Sequence, residues 1–211
     1  MKKAFLILTG IAVIALSFIP SEKGVPSLEI GSVAPLADRE MKNASGTNVG
    51  LKDVMENNGL LVIFSCNTCP FVVGKQDSEG WQGRYNEVFE IAKANEIGGI
   101  LVNSNAAKRE KGDSFEDMVR QAQNNRYQVA YALDENHLMA DAFGAKTTPH
   151  VFLFDGNYKL VYKGAIDDNN DSSTEVTEAW LKNALNNLGE SKDIEPNETR
   201  AIGCSIKRVN R

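Results

Sequence analysis

The sequence predicts an α/β fold: a central mixed β-sheet flanked by helices. Three observations carry this. Short apolar runs of strand length alternate with amphipathic stripes of helical period from Leu60 to Gly189. A hairpin signature around Asp155-Gly156 closes that alternation and adds antiparallel strands to an otherwise crossover order. One buried-type strand run leads straight into Cys66-Asn67-Thr68-Cys69, the strand–turn–helix junction where open α/β sheets gather their chemistry.

The elements follow in order. Met1-Lys2-Lys3 precedes an uncharged apolar run, Ala4 to Ile19, too short for the roughly 20 residues of a spanning helix. Residues 1–20 are expected to be a secretory signal, or an anchor if uncleaved, and the protein to be exported, periplasmic or extracellular. Contact with a membrane is expected only if that segment stays attached. Residues 21–58 read as a loose arm, with a hairpin around Ala44-Ser45-Gly46-Thr47. Leu60–Phe64 is continuously apolar, as a strand buried on both faces requires. Trp81, Tyr85, Val88, Phe89 and Ala92 form a helical stripe. Ile97–Val102 is the next strand. Phe115, Met118, Val119 and Ala122 mark a helix capped by Asp113 or Ser114. Tyr127–Tyr131 reads as a short strand. Asp134 is expected to cap a helix bearing Leu138, Met139, Ala142 and Phe143 that ends at Gly144. After the hairpin, Ser172 and Glu175 suggest a capping box opening a helix from Val176 to Leu188. Residues 28–190 form the expected domain, and 191–211 a polar tail packing back on it.

Composition narrows the function. The 211 residues carry 42% hydrophobic and 24% charged side chains, within the globular range. A net charge of −5 gives no basic stripe for nucleic acid. Three cysteines are too few for a disulfide scaffold, so they point to thiol chemistry. In a strand–Cys-x-x-Cys–helix junction the first thiol, Cys66, is expected at the helix N-terminus. Unpaired amides there favour the thiolate. Cys69, one turn on, can then release a mixed disulfide. Pro70 fits the first helical turn. A zinc site would need both histidines, His137 and His150, because no second cysteine pair exists; no metal and no cofactor are expected. Thr147-Thr148-Pro149 before a strand makes Pro149 a candidate cis residue.

This set of motifs resembles the thioredoxin superfamily. The stretches Phe64–Phe71, Val102–Asn105, Thr147–His150, Gly164–Asp168 and Gly203–Lys207 look like its exported, peroxiredoxin-like redoxins. The resemblance implies a thioredoxin-like fold with an extra strand–helix insertion and an N-terminal extension. It implies a docking loop at Thr148 and Pro149 facing the cysteine pair. The function expected is thiol–disulfide oxidoreductase, with Cys66 attacking and Cys69 resolving. Its partners would be protein or small-molecule disulfides and thiols, and a reducing or oxidising redox partner. Two alternatives stay open. One is a thiol peroxidase with Cys69 or Cys66 as peroxidatic thiol, since Cys69-Pro70 takes the place of the peroxiredoxin cysteine. The other is Cu(I) binding by Cys66, Cys69 and His150. Ile63 stands where thioredoxins carry a buried acid, and Asn67-Thr68 replaces Gly-Pro.

Remaining residues have plain readings. Cys204 is a packed residue or a third thiol folding back to the pair. His150 is a strand residue near the docking loop, and His137 a surface residue. Asn103, Ser104 and Asn105 are strand-end turn formers that could also meet substrate. Lys108–Lys111 is a solvated charge cluster, and Trp81 and Trp180 are core.

Overall fold

The computed structural model describes residues 26–210. The signal or anchor reading of residues 1–20 lies outside them. Among the described residues no helix is long and apolar enough to cross a membrane.

Seven strands form one mixed sheet: β1 (Met41–Asn43), β2 (Asn48–Val49), β3 (Gly59–Ser65), β4 (Ile97–Asn103), β5 (Ala130–Leu133), β7 (His150–Asp155) and β8 (Leu160–Gly164). Their order is β2-β1-β5-β4-β3-β7-β8. β3, β4 and β5 are parallel; the other pairings are antiparallel. Two short strands, β6 (Thr147–Thr148) and β9 (Cys204–Ser205), pair separately. The helices are α1 (Pro70–Val73), α2 (Tyr85–Ala94), α3 (Phe115–Asn124), α4 (Leu138–Phe143) and α5 (Trp180–Gly189).

β3 shows why the sheet is two-sided. All seven of its residues are buried. Leu61 and Ile63 face a core shared with Trp81, Tyr85, Phe89 and Leu185, while Leu60, Val62 and Phe64 face one shared with Phe143, Phe152 and Phe154. Successive side chains of a strand point to opposite faces, so a continuously apolar run is what two cores demand. The second core holds an edge-to-face cluster: the Phe143 ring lies 5.3 Å from both Phe64 and Phe152.

Several elements differ from the sequence reading. The arm is not loose where described. The Gly31 amide donates to the Leu160 carbonyl (2.8 Å) and the Leu160 amide to the Ser32 carbonyl (2.8 Å), covering the β8 edge. The strand read at Tyr127–Tyr131 begins at Ala130, because Tyr127 still closes α3 by donating to Ala122 (3.0 Å). The helix expected from Val176 begins at Trp180. Thr177 instead bonds the Asp168 carboxylate through its amide (3.0 Å) and its hydroxyl, and Val176 is extended. Ser114, not Asp113, caps α3, accepting from Asp117 (3.0 Å). His137, not Asp134, is the residue that precedes α4, but the Asp134 carboxylate reaches its first turn, accepting from Met139 (2.9 Å) and Ala140 (3.0 Å), and Gly144 at φ 59° ends it. The hairpin around Ala44–Thr47 forms between β1 and β2.

From Thr199 onward the tail lies against the domain. Thr199 donates to the Lys163 carbonyl (3.0 Å), Ile206 to Lys146 (3.0 Å), and Ala107 to Lys207 (2.8 Å). Arg208 reaches the Asp141 carboxylate (2.8 Å) and the Ala145 carbonyl (2.7 Å). His137 is buried rather than exposed, because its ring sits between Asp141 (3.0 Å) and the Val209 carbonyl (3.1 Å).

Candidate active site

β3 ends at Ser65, whose hydroxyl pairs with the Tyr85 hydroxyl at 2.9 Å. The chain then turns through Cys66–Cys69 and enters α1. Here the structure departs from expectation. Cys69, not Cys66, precedes the first helical residue, because Pro70 starts the helix and Gly74 ends it one turn later. The longer helix stripe begins only after this break.

Both sulfurs meet one residue on the opposite loop. Cys66 Sγ lies 3.1 Å from the Thr148 hydroxyl, and the Cys69 thiol donates to the Thr148 carbonyl at 3.2 Å. The Thr148–Pro149 peptide is cis. Cys204 joins from the tail: its amide donates to Cys69 Sγ at 3.4 Å. Cys66 is 1% exposed and Cys69 3%, whereas Cys204 is half-buried. All three are free thiols.

The proton is shared unequally. A hydrogen bond from the Cys66 thiol lowers Cys69 to about 5, and the Cys204 thiol and the amides of Cys204 and Phe71 add to it against the opposing effect of burial. The same bond to Cys69, then burial and the charge of Asp113, push Cys66 far above the usual thiol range. The Cys66 thiol, and then the amides of Cys204 and Phe71, favour the charge on Cys69, against its burial and its contact with the Thr148 carbonyl. The sequence reading places Cys66, not Cys69, at the helix terminus. Ile63, fully buried, adds no acid beneath the pair.

The turn between the cysteines hangs on Asp113. Its carboxylate accepts from the Asn67 amide (2.7 Å), the Thr68 hydroxyl (2.7 Å), Asn103 (2.9 Å) and Asn105 (3.2 Å). Tyr131 completes the frame, donating to the Asn67 side chain at 2.8 Å. Asn103 and Ser104 are fully buried and Asn105 nearly so; their contacts are this frame, the Asp134 carboxylate and the tail. Arg109 corrects the solvated-cluster reading. Its guanidinium donates to Asn103 Oδ1 (2.7 Å) and to the carbonyls of Asn103 (2.8 Å), Asp113 (2.9 Å) and Asp134 (3.1 Å). Asp113 and Arg109 were not legible as site residues. Asp113 beside Ser114 reads as a cap, and Arg109 sits in a charge run.

His150 follows Pro149 but points away from the thiols. Its Nδ1 accepts the Lys146 amide at 3.2 Å, and its ring packs tilted against Phe152, centroids 4.5 Å apart. Burial, then the charges of Lys163 and Lys146, lower it to about 3, so it is neutral. Among the described residues no group of three His, Cys, Asp or Glu side chains converges as a metal set.

Residues 30–163 match the AhpC/TSA family. The chain belongs to the AhpC/TSA family. Members of that family fold as thioredoxin-like redoxins, in keeping with the mixed sheet and the Thr148–Pro149 loop seen here. No curated protein matches the sequence. Two solved structures are similar over most of both chains. An uncharacterized conserved protein from Geobacillus kaustophilus is 30% identical, with a TM-score of 0.77, covering 87% of this chain and 94% of its own. A hypothetical protein from Sinorhizobium meliloti is 28% identical, with a TM-score of 0.77, covering 88% and 98%. Peroxidoxin BcpB from Mycobacterium tuberculosis, 10% identical with a TM-score of 0.54, covers 78% and 97% and shares the fold alone. Membership makes the chain, broadly, a redox enzyme of thioredoxin-like fold.

Proposed function

We propose that the chain is a thiol–disulfide oxidoreductase cycling Cys66 and Cys69 between dithiol and disulfide, with Cys69 as the attacking thiolate. One observation carries this reading: both sulfurs contact the same residue, Thr148, at 3.1 and 3.2 Å, so they lie side by side on one loop. The Cys69 thiolate attacks a substrate disulfide, forming a mixed disulfide and releasing one substrate thiolate, which takes a proton. Cys66 then loses its proton and attacks Cys69 Sγ. The second substrate thiol leaves, and the Cys66–Cys69 disulfide holds the two electrons' worth of oxidation. A dithiol partner restores the pair, and the reverse sequence oxidises a substrate. The apolar run at residues 4–19 supports an exported setting, where such a partner is required.

The position of the charge favours a second reading. Cys69 is the residue followed by Pro70, the place of the peroxidatic thiol in the peroxiredoxin-like reading. Attack on a peroxide would release water or an alcohol and leave Cys69 sulfenic acid; Cys66 would displace water to give the same disulfide.

Turnover of a small disulfide and of hydrogen peroxide, each with a dithiol reductant, separates the two. Disulfide turnover should exceed peroxide turnover, and Cys69→Ser should reduce it about 100-fold or more. Unchanged disulfide turnover in Cys69→Ser contradicts the oxidoreductase reading. Peroxide turnover dominating in the unaltered protein, and lost in Cys69→Ser, selects the peroxidase.

A further inference from the structure

We propose that Cys204 is a third redox-active thiol, which carries the disulfide from the buried pair to the surface through a Cys69–Cys204 bond while its strand fills the docking edge of the Thr147–Thr148 loop. This rests on the oxidoreductase reading above and adds the route and the substrate class.

Three observations support it independently of one another. First, β9 pairs antiparallel with β6, Thr147 opposite Ser205 and Thr148 opposite Cys204. A two-residue strand edge beside a reactive thiol is where an extended peptide would add its own backbone. The tail already does so. It approaches as closely as backbone can: a Cβ on Gly203 would stand 2.2 Å from the Thr148 carbonyl oxygen, so only glycine fits. Anchors on both sides hold it there, Thr199 on β8 and Ile206, Lys207 and Arg208 beyond. Second, the Cys204 amide donates to Cys69 Sγ at 3.4 Å, which sets the third cysteine against the pair. Third, exposure differs. Cys66 and Cys69 are 1% and 3% exposed, whereas Cys204 is half-buried, so Cys204 is the thiol that an incoming sulfur meets first.

The exchange balances without an outside oxidant. Starting from the Cys66–Cys69 disulfide, Cys204 gives up its proton and attacks Cys69 Sγ. The Cys69–Cys204 bond forms, the Cys66–Cys69 bond breaks, and Cys66 leaves as thiolate and takes the proton. An external thiol then attacks Cys204, giving a mixed disulfide at the surface and freeing Cys69. Because β9 covers the β6 edge, the substrates that fit are small thiols and disulfides that reach Cys204, rather than polypeptides docked as a strand.

The test uses the full chain in glutathione redox buffer, with disulfides mapped by mass spectrometry after acid quenching. Cys66→Ser should accumulate an intramolecular Cys69–Cys204 disulfide as its main oxidised form. A Cys69–glutathione adduct with Cys204 free would overturn the proposal. Cys204→Ser, at a half-buried position, should still reach the Cys66–Cys69 disulfide at equilibrium but exchange with external glutathione at least tenfold more slowly; an unchanged rate would also overturn it. Adding Gly203→Val to Cys66→Ser should abolish the Cys69–Cys204 link by lifting β9, and persistence of the link would refute the docked-strand geometry. If the unaltered protein never forms a Cys66–Cys69 disulfide, the oxidoreductase reading fails. If it does form one and Cys66→Ser does not link Cys69 to Cys204, only the relay fails.

Discussion

On one side of the thiols, the Asn67–Thr68 turn is held by side chains: the Asp113 carboxylate takes four hydrogen bonds from it and from Asn103 and Asn105, with Arg109 and Tyr131 closing the frame. On the other side the contacts are mostly backbone: the Thr148 carbonyl, the Cys204 amide and the close approach of Gly203. The first wall contains a fully buried carboxylate that is expensive to unpair. The second contains a two-residue strand whose few hydrogen bonds contribute about 1 kcal/mol each. One wall fixes the pair in place, and the other can open locally without unfolding the domain.

The largest effect should follow from breaking the side-chain wall. Asp113→Ala leaves the Asn67 amide, the exposed Thr68 hydroxyl and two buried side chains, Asn103 and Asn105, without this acceptor. It should cost about 3–5 kcal/mol, read from the urea midpoint. A loss below about 1 kcal/mol would mean that the frame does not hold the turn.

A smaller effect should come from His150, which backs the opposite wall. Its folded pKa is lowered to about 3 by burial and by Lys163 and Lys146. The unfolded value is near 6.5, so between these pH values the unfolded chain binds a proton that the folded chain refuses. The residue's favourable contribution is therefore complete above pH 6.5 and declines as pH falls toward 3. By pH 5 the loss should reach about 2 kcal/mol. His150→Phe should flatten this part of the stability profile, and an unaltered slope between pH 7 and 5 would assign it to other groups.

The smallest effect on global stability should come from the backbone wall. Gly203→Val should change the unfolding free energy by about 1 kcal/mol or less, because only a short strand is displaced. Hydrogen exchange should rise at the amides of Ile206 and Lys207, which now donate to Lys146 and Asn105. Unchanged protection at both would show that the tail accommodates the added side chain.

The same contrast explains what could be read from the sequence. The central strands were legible because β3, buried on both faces, is apolar at nearly every position, and the Asp155-Gly156 hairpin carries its own turn chemistry. The Cys-x-x-Cys pair and Thr148-Pro149 were legible as motifs. Their relative electrostatics were not. The lowering of Cys69 comes first from the Cys66 thiol and then from the thiol and amide of Cys204, distant in sequence. Asp113 and Arg109 looked like a cap and a solvated charge because their roles arise from contacts made by the folded loop. The Val176 helix start failed because Asp168 competes for Thr177. His137 looked exposed because its partner, Val209, belongs to the tail.

The central claim, that the buried pair is poised with its charge on Cys69, is tested most directly by the pH dependence of alkylation. The reduced full chain is treated with a small alkylating reagent across pH 4–10, and each cysteine is followed by mass spectrometry. The account predicts that Cys69 labelling falls off with a midpoint at about 5 while Cys66 stays unlabelled through neutral pH. Labelling of Cys66 ahead of Cys69, or a Cys69 midpoint at the ordinary thiol value of about 8.5, would contradict it.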